Sequence, residues 1–300
     1  MPKIYFSVII PTYNRAELIR KVIGSALRQT YELFELIIVD DGSTDNTADV
    51  VGQYKDERVH YYRKENGERG AARNFGSALA KGDYLNFFDS DDCMYPNHLA
   101  TARQMIEQYI SPEVFHVNFE LINEQGHLVS PARQFTGSVA DYLILSNDLA
   151  CNSVFVRRDI ALKHPFNEDR ALSTAEDWEL WLRLAARYPF YGSSTITHAQ
   201  VAHTGRSLAK IGPERIIQRD ERLLVLLLED QPFREKFSTC LPRFIADRYT
   251  FITLNLALTT NRRMATLRFL WKAIKADPSV IVRKRFLASI KHWVSGTSAC

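Results

Sequence analysis

The sequence predicts an α/β fold in which a mostly parallel sheet is flanked by helices and followed by a helical C-terminal extension. Two observations support this prediction. Over the first hundred residues, short apolar runs alternate with stretches of helical periodicity, as in parallel strands joined by crossover helices. Beyond Gly212 the pattern is helical alone. We therefore expect a catalytic or binding domain over residues 1–211 and a helical extension over residues 212–300.

The first hundred residues predict four strands separated by three helices. Each strand is a short apolar run, and in each helix apolar residues recur at three- and four-residue spacing. The predicted strands are residues 6–10, 34–40, 58–63 and 83–89, and the predicted helices are residues 16–29, 44–54 and 70–82.

The rest of the chain carries further helices and one more strand. A strand is predicted over residues 113–122, and helices are predicted over residues 97–109, 175–188, 219–230 and 267–277.

Composition excludes several classes of protein. With 46% apolar and 24% charged residues the chain is globular, and a net charge of +3 over 300 residues does not indicate nucleic-acid binding. The four cysteines form no C-x-x-C pair, which indicates a reducing compartment. The first residues lack the apolar core of a signal peptide, and no run approaches 18 apolar residues. We expect a cytoplasmic protein, either free or peripheral at the inner face of the membrane.

Polar clusters follow three of the predicted strands. They are "PTYN" at 11–14, "DDGSTD" at 40–45 and "DSDD" at 89–92. Ligands of open parallel sheets bind beyond the carboxyl ends of the strands. If the three strands are neighbours, the clusters share one rim of the sheet.

The "DSDD" segment indicates a divalent cation. Asp89 and Asp91 are two positions apart and point to the same side of an extended segment, with Asp92 beside them. Mg²⁺ and Mn²⁺ prefer oxygen ligands, and a bound ion removes the repulsion between these carboxylates. The alternative is a solvated acidic turn that caps the following helix.

Two further segments suit a phosphorylated ligand. Asp40 or Asp41 could accept a hydrogen bond from a ribose hydroxyl or a base N–H, although the same segment also suits a turn and a helix cap. In "GERGAARNFG", Arg69 and Arg73 could pair with a diphosphate or brace the carboxylates, and ordinary surface charge is the alternative. We expect Arg73 to support the rim rather than to touch substrate.

Five segments in this order resemble the family 2 glycosyltransferases, which have the Rossmann-like GT-A fold. They are "SVIIPTYNR", "IIVDDGSTDNT", "GAARNFG", "FFDSDD" and "AEDWELWLRLA", and together they cover residues 4–188. The resemblance implies an inverting transfer from a nucleotide-diphosphate sugar, often a UDP-sugar, with Mn²⁺ or Mg²⁺. The acceptor would be a hydroxyl of a glycan or of a lipid-linked molecule.

The resemblance also implies roles for donor-binding residues. Pro11, Thr12 and Tyr13 would line the nucleotide pocket, with Tyr13 stacked on the base. Asp40 would meet the base and Asp41 the ribose.

The metal and the diphosphate would lie at the other clusters. Asp91 would contact the metal directly, with Asp89 and Asp92 beside it, and Ser90, Arg69 and Arg73 would lie on the donor side. His203 would reach back to the metal or the diphosphate, with Arg206 and Ser207 as phosphate donors and His198 as an alternative to His203.

The resemblance assigns catalysis to "TAEDWELW". Inverting transfer needs a base that takes the proton of the acceptor hydroxyl, and the family pattern gives this role to Asp177. Glu176 would orient the acceptor. Acidic residues also occur in first turns of helices without any catalytic role, because the helix dipole favours them there.

The C-terminal residues 261–300 combine nine Lys and Arg with a single acid, Asp277, and several aromatic residues. Basic amphipathic helices of this kind suit an anionic membrane surface. That would fit a lipid-linked acceptor in surface polysaccharide synthesis. The alternatives are a helical cap over the catalytic domain and a contact within a homodimer.

Three other classes of protein do not fit the sequence, and a fourth remains as an alternative. A receiver-type signalling domain would need a lysine after a later strand, and the chain has none between Gly82 and Leu162. A D-x-D-x-T/V phosphatase is excluded by Cys93, and a dinucleotide dehydrogenase by the absence of G-x-G-x-x-G after the first strand. A catalytically silent nucleotide- or glycan-binding scaffold remains as the alternative to an active transferase.

Overall fold

A computed structural model describes residues 3–131, 138–202, 212–259 and 262–295. The chain divides into two units, residues 1–143 with 147–206 and residues 144–146 with 207–300. The predicted division between residues 211 and 212 stays a prediction, since residues 203–211 lie outside the described part of the chain.

The described strands of the first unit form one sheet in the order β3-β2-β1-β4-β8-β6-β9-β5, with β7 beside β6. Their bounds are β1 Phe6–Thr12, β2 Phe34–Asp40, β3 Val59–Arg63, β4 Tyr84–Phe87, β5 Cys93–Met94, β6 Val114–Asn123, β7 Leu128–Ser130, β8 Val154–Arg157 and β9 Phe190–Ala202. The sheet is parallel from β3 to β4 and between β6 and β9, and the other pairs are antiparallel.

Helices follow the strands of the first unit. Their bounds are α1 Ala16–Ala26, α2 Thr47–Gly52, α3 Glu68–Leu79, α4 His98–Gln108, α5 Val139–Leu143, α6 Arg158–Lys163 and α7 Glu176–Ala185. Every residue of β1 and β2 is buried, as expected for central strands covered on both faces. The predicted α/β architecture is therefore confirmed, although the sheet is mixed beyond β4.

Helix α2 begins three residues later than its sequence pattern predicts. The Asn14 side chain accepts a hydrogen bond from the backbone N–H of Thr44 at 2.7 Å. The Asp45 side chain accepts one from the backbone N–H of Thr47 at 3.0 Å. Side chains that bind nearby backbone groups in this way hold residues 44–46 in a turn, and the helix starts at Thr47.

The second unit is helical, as predicted. Its helices are α8 Pro213–Glu229, α9 Gln231–Lys236, α10 Leu241–Thr259, α11 Arg263–Ala276 and α12 Lys284–Ser295. Its core is formed by apolar side chains such as Ile252, Leu256 and Phe269. In the described part of the chain, no helix has both the length and the apolar character needed to cross a membrane.

Candidate active site

The three polar clusters meet at one rim because β1 lies between β2 and β4. In the register of the sheet, Thr12 at the end of β1 is beside Asp40 at the end of β2. On the other side, Ile9 is beside Phe87, the last residue of β4, and the acidic loop follows directly. The sheet thus brings together residues that are almost eighty positions apart.

The loop after β1 is fixed to the loop after β2. The backbone N–H of Asn14 donates to the Ser43 hydroxyl at 2.9 Å, and Asn14 has a left-handed φ of 50°. Thr12 is buried, and its hydroxyl has no hydrogen-bond partner among the described residues. Tyr13 is 48% exposed, so its ring is available to a ligand.

Asp40 and Asp41 are both buried and held by the protein. Asp40 accepts hydrogen bonds from the Ser43 backbone N–H at 2.7 Å and from the Tyr61 hydroxyl at 2.6 Å. Asp41 accepts from Lys64 Nζ at 2.9 Å and from a backbone N–H. Burial and the charge of Asp40 both raise the pKa of Tyr61, so Tyr61 stays a donor to this carboxylate.

The acidic loop after β4 brings three carboxylates together. Asp89, Asp91 and Asp92 each offer an oxygen, and these oxygens all lie within 4.8 Å of one another. This donor set, made of oxygens alone, fits Mg²⁺ or Mn²⁺. The two more accessible members, Asp89 and Asp91, are half-buried, and Asp92 is 3% exposed.

Asn152 holds this loop from the side of β8. Its side-chain NH₂ donates to Asp92 at 2.7 Å, and its side-chain oxygen accepts from the backbone N–H of Asp89 at 2.8 Å. The other oxygen of Asp92 accepts from the backbone N–H of Val201 in β9 at 2.9 Å. Asp92 therefore joins the loop to the sheet, in addition to any contact with a metal.

Arg73 connects the acidic loop to the start of α7. It is 1% exposed, and its guanidinium donates to Asp89 and to Glu176 at 2.8 Å each. The guanidinium also lies over the ring of Phe166, 5.2 Å from its centroid. Arg73 thus braces two carboxylates, which is one of the two roles that the sequence suggested for it.

Glu176 is buried beside two arginines. Besides Arg73, the Nε of Arg69 lies 3.9 Å from the same oxygen of Glu176. The second oxygen of Glu176 is buried and has no hydrogen-bond partner among the described residues. Burial by itself would raise the pKa of Glu176, but the charges of Arg73 and Arg69 outweigh it and lower that pKa.

Asp177 is the adjacent residue and behaves in the opposite way. Burial and repulsion from Glu176 raise its pKa to about 7. Its carboxylate accepts hydrogen bonds from the Trp178 backbone N–H at 2.7 Å and from Asn147 at 3.2 Å. Two neighbouring carboxyl groups with pKa values shifted in opposite directions are typical of acid–base sites.

Four residues near the end of the first unit were predicted to bind the metal or the diphosphate, and only one of them lies in the described part of the chain. His203, Arg206 and Ser207 lie outside the described residues. His198, the alternative to His203, lies in β9 and is fully buried between Phe88 and Phe119. Burial first, and then the charge of His98, lower the pKa of His198 well below its usual value. His198 is a neutral core residue.

Two residues of the site were not identified from the sequence. Arg15 forms a 2.6 Å ion pair with Asp91, and Asn152 anchors the acidic loop. Arg15 directly follows the "PTYN" cluster, which is the signal that could have included it. Nothing around Asn152 marks it in the sequence, because its role depends on the pairing of β8 with β4.

Comparison with known proteins identifies relatives of the first unit. The family model described as "Glycosyl transferase family 2" matches residues 7–160. An uncharacterized glycosyltransferase of Rickettsia felis is 34% identical over 216 residues, which are 68% of this chain and 35% of that protein. Chondroitin synthase of Escherichia coli is 28% identical over 201 residues, which are 66% of this chain and 29% of that enzyme. The matched segment thus spans only about a third of these relatives.

Solved structures share the fold over nearly the whole chain. TarS of S. aureus has a TM-score of 0.70 at 22% identity and covers 95% of this chain and 50% of its own. The 1–349 fragment of TarS, in complex with UDP-GlcNAc, has a TM-score of 0.64 at 18% identity, covering 99% and 93%. The mannosyltransferase PcManGT of Pyrobaculum calidifontis, in complex with GDP-Man and Mn²⁺, has a TM-score of 0.59 at 16% identity, covering 98% and 86%.

At these identities the structural likeness concerns the fold, and it confirms the predicted GT-A architecture with a helical C-terminal region. Family membership comes from the sequence match, which extends over half of the chain and includes the three rim clusters. The chain belongs to glycosyl transferase family 2.

Proposed function

We propose that this protein is a glycosyltransferase. It would transfer a sugar from a nucleotide-diphosphate sugar, a UDP-sugar, to an acceptor hydroxyl, with inversion at the anomeric carbon. One observation carries the proposal. Buried Arg73 contacts Asp89 in the acidic loop and Glu176 next to Asp177, although the two carboxylates belong to distant segments. The bridge keeps the proposed donor side and the proposed base at one rim, as a single displacement requires.

Asp177 is the proposed general base. A base is most effective when its pKa lies near the working pH, and the raised pKa of Asp177, about 7, meets this condition. Asp177 would take the proton of the acceptor hydroxyl while the bond to the leaving diphosphate breaks. Glu176 stays ionised beside Arg73 and Arg69, and its unpartnered oxygen would orient the acceptor.

The donor nucleotide is proposed to bind at the ends of β1 and β2. Pro11 and Thr12 would line the pocket, with the unpartnered Thr12 hydroxyl as a contact, and Tyr13 would stack on the base. Asp40 would meet the base and Asp41 the ribose, and the hydrogen bonds that each accepts from the protein would hold the two carboxylates in place.

Mn²⁺ or Mg²⁺ is the proposed cofactor, held by Asp91 with Asp89 and Asp92 beside it. The close approach of their oxygens supports this assignment. When bound, the cation would offset the negative charge of the departing diphosphate. Ser90 is proposed on the diphosphate side. His203 is proposed at the metal or the diphosphate, on the family resemblance alone.

The proposed acceptor is a glycan or a lipid-linked molecule in surface polysaccharide or glycoconjugate synthesis. The second unit supports the lipid-linked form, because α11 and α12 contain no acidic residue and expose apolar side chains such as Met264, Trp271 and Leu287 beside lysines and arginines.

We propose peripheral contact with an anionic membrane through this surface of α11 and α12. Binding to anionic but not neutral vesicles would support it. A concentration-dependent dimer that buries Trp271 without vesicle binding would favour a contact between copies.

The decisive experiment identifies the donor. Thermal unfolding of the protein is measured against a panel of nucleotide sugars, each with and without Mn²⁺, and the stabilising donor is then tested for release of its nucleotide. We expect one UDP-sugar to stabilise the protein and to be turned over only with the metal. Binding without turnover would instead favour the catalytically silent scaffold, which no observation on the described residues supports.

A further inference from the structure

Arg15 already places a cation at the proposed metal site. Its guanidinium lies 2.6 Å from Oδ2 of Asp91, and the same nitrogen is 3.5 Å from the Ser90 hydroxyl. Arg15 follows β1 and Asp91 follows β4, so the contact joins two neighbouring strand ends. Asp91 is the carboxylate proposed to contact the metal directly.

The backbone of Arg15 is fixed while its side chain has room to move. Arg15 immediately precedes α1, where its carbonyl accepts from the Ile19 N–H at 2.9 Å, and the preceding Asn14 is bound to the loop after β2. The Arg15 side chain is 22% exposed, compared with 1% for Arg73. Arg73 is locked into the core, whereas Arg15 can change partner without moving the loop.

A bound metal ion and Arg15 compete for Asp91. Mg²⁺ binds carboxylate oxygens at about 2.1 Å, which would bring it into direct repulsion with a guanidinium already contacting the same carboxylate. A nucleotide diphosphate carries several negative charges to the same place. Guanidinium groups bind such oxygens in paired, charge-assisted hydrogen bonds.

We propose that Arg15 exchanges partners: it holds Asp91 while the donor site is empty and turns to the donor diphosphate when metal and nucleotide bind. The inference rests on the proposed donor and metal site. It explains how the acidic loop is tolerated without a metal, since Asp91 has Arg15, Asp89 has Arg73 and Asp92 has Asn152. It also makes metal binding depend on the nucleotide.

The test measures two affinities in the wild type and in Arg15→Met. Binding of Mn²⁺ alone is followed by electron paramagnetic resonance of the free ion, and binding of UDP at saturating Mn²⁺ by titration calorimetry. Arg15→Met should bind Mn²⁺ alone roughly tenfold more tightly, because an interaction with a charged group is worth about that factor. The same variant should bind UDP roughly tenfold more weakly, because it loses a diphosphate contact.

Two further variants serve as controls. Arg20→Met removes the same charge from an exposed position of α1 and should change neither affinity. Arg15→Lys keeps the positive charge but lacks the paired N–H donors of a guanidinium. Its affinities for Mn²⁺ alone and for UDP should both lie between those of the wild type and Arg15→Met. Thermal unfolding of each variant establishes that it is folded.

The outcomes separate this inference from the proposed function. If the wild type binds Mn²⁺ and UDP, but Arg15→Met binds Mn²⁺ alone no more tightly than the wild type does, the proposed exchange is wrong. The proposed donor site is then still supported. If Arg15→Met weakens both ligands, Arg15 has a structural role and the exchange is also wrong. If the wild type binds neither Mn²⁺ nor UDP, the proposed donor site fails and the inference fails with it.

Discussion

Replacing Arg73 with methionine tests the bridge on which the active-site proposal depends. The substitution removes the guanidinium that lies 2.8 Å from both Asp89 and Glu176, and leaves an apolar side chain that can pack beside Phe166. Glu176 is only 4% exposed, so water cannot replace the lost partner. The more distant Arg69 compensates in part, from 3.9 Å.

The expected loss of stability follows from this burial. Removing one partner of a buried ion pair costs about 3–5 kcal/mol. The side chain of Asp89 is 27% exposed and contributes little to that cost because solvent screens it, so most of the loss arises at Glu176. With a shift of about 2–4 °C per kcal/mol for domains of this size, the melting temperature should fall by roughly 6–20 °C.

The pKa of Asp177, the proposed general base, gives a second measurable effect of Arg73→Met. The charge of Arg73 lowers the pKa of Asp177, against the burial and the Glu176 repulsion that raise it to about 7. Without Arg73, the pKa of Asp177 rises further. Because a general base acts in its deprotonated form, the transfer rate of the variant should reach its plateau at a higher pH than that of the wild type.

The assay compares thermal unfolding by circular dichroism and the pH dependence of transfer in the wild type, Arg73→Met and Arg103→Met. Arg103 pairs with Glu107 on the surface of α4, where both side chains are at least 31% exposed, so its loss should cost less than about 1 kcal/mol. If Arg73→Met unfolds at the same temperature as Arg103→Met, the bridge does not stabilise the rim and the reasoning is refuted.

Three further predictions follow from the same geometry. Asp177→Asn should lower kcat by about 10²–10⁴-fold with donor affinity unchanged, and a normal kcat in steady-state transfer assays would remove Asp177 as the base. In the wild type, kcat/KM should rise with pH through a single ionisation near pH 7, the pKa of Asp177, and a flat profile over that range would contradict this. Asn152→Ala removes the donor to Asp92 and the acceptor for the Asp89 N–H, so urea denaturation should show a loss of about 2–4 kcal/mol. An unchanged midpoint would mean that other contacts hold the loop.

Local patterns in the sequence were sufficient for the first half of the fold. Strands β1 and β2 are mostly apolar because both of their faces are buried, and such runs can be recognised without a structure. The neighbouring polar clusters could be placed on one rim because parallel strands present their carboxyl ends at one edge. The long strand β9 was not predicted, since Gly192 and the serines and threonine that follow it suggest a loop.

Most of the side-chain contacts that hold the candidate active site together could not be predicted from the sequence. Arg15 follows the "PTYN" cluster and Asn152 has no marking neighbour, but in neither case does the sequence show the partner, because each acts on a loop that is distant along the chain and near only in the folded sheet. His198 illustrates the opposite error. A histidine near a predicted rim suggests a ligand, but its neighbours on the sheet are aromatic and its ring is enclosed.

The sequence by itself determined the class of fold, the family and the residue types available at the rim, because these depend on local periodicity and on short ordered motifs. Only the tertiary structure decided how the rim is charged. Arg73 and Glu176 are 103 positions apart along the chain, yet their contact keeps one carboxyl group ionised while burial raises the pKa of the next one. Protonation depends on burial and on neighbouring charges, and both exist only once the distant segments have packed together.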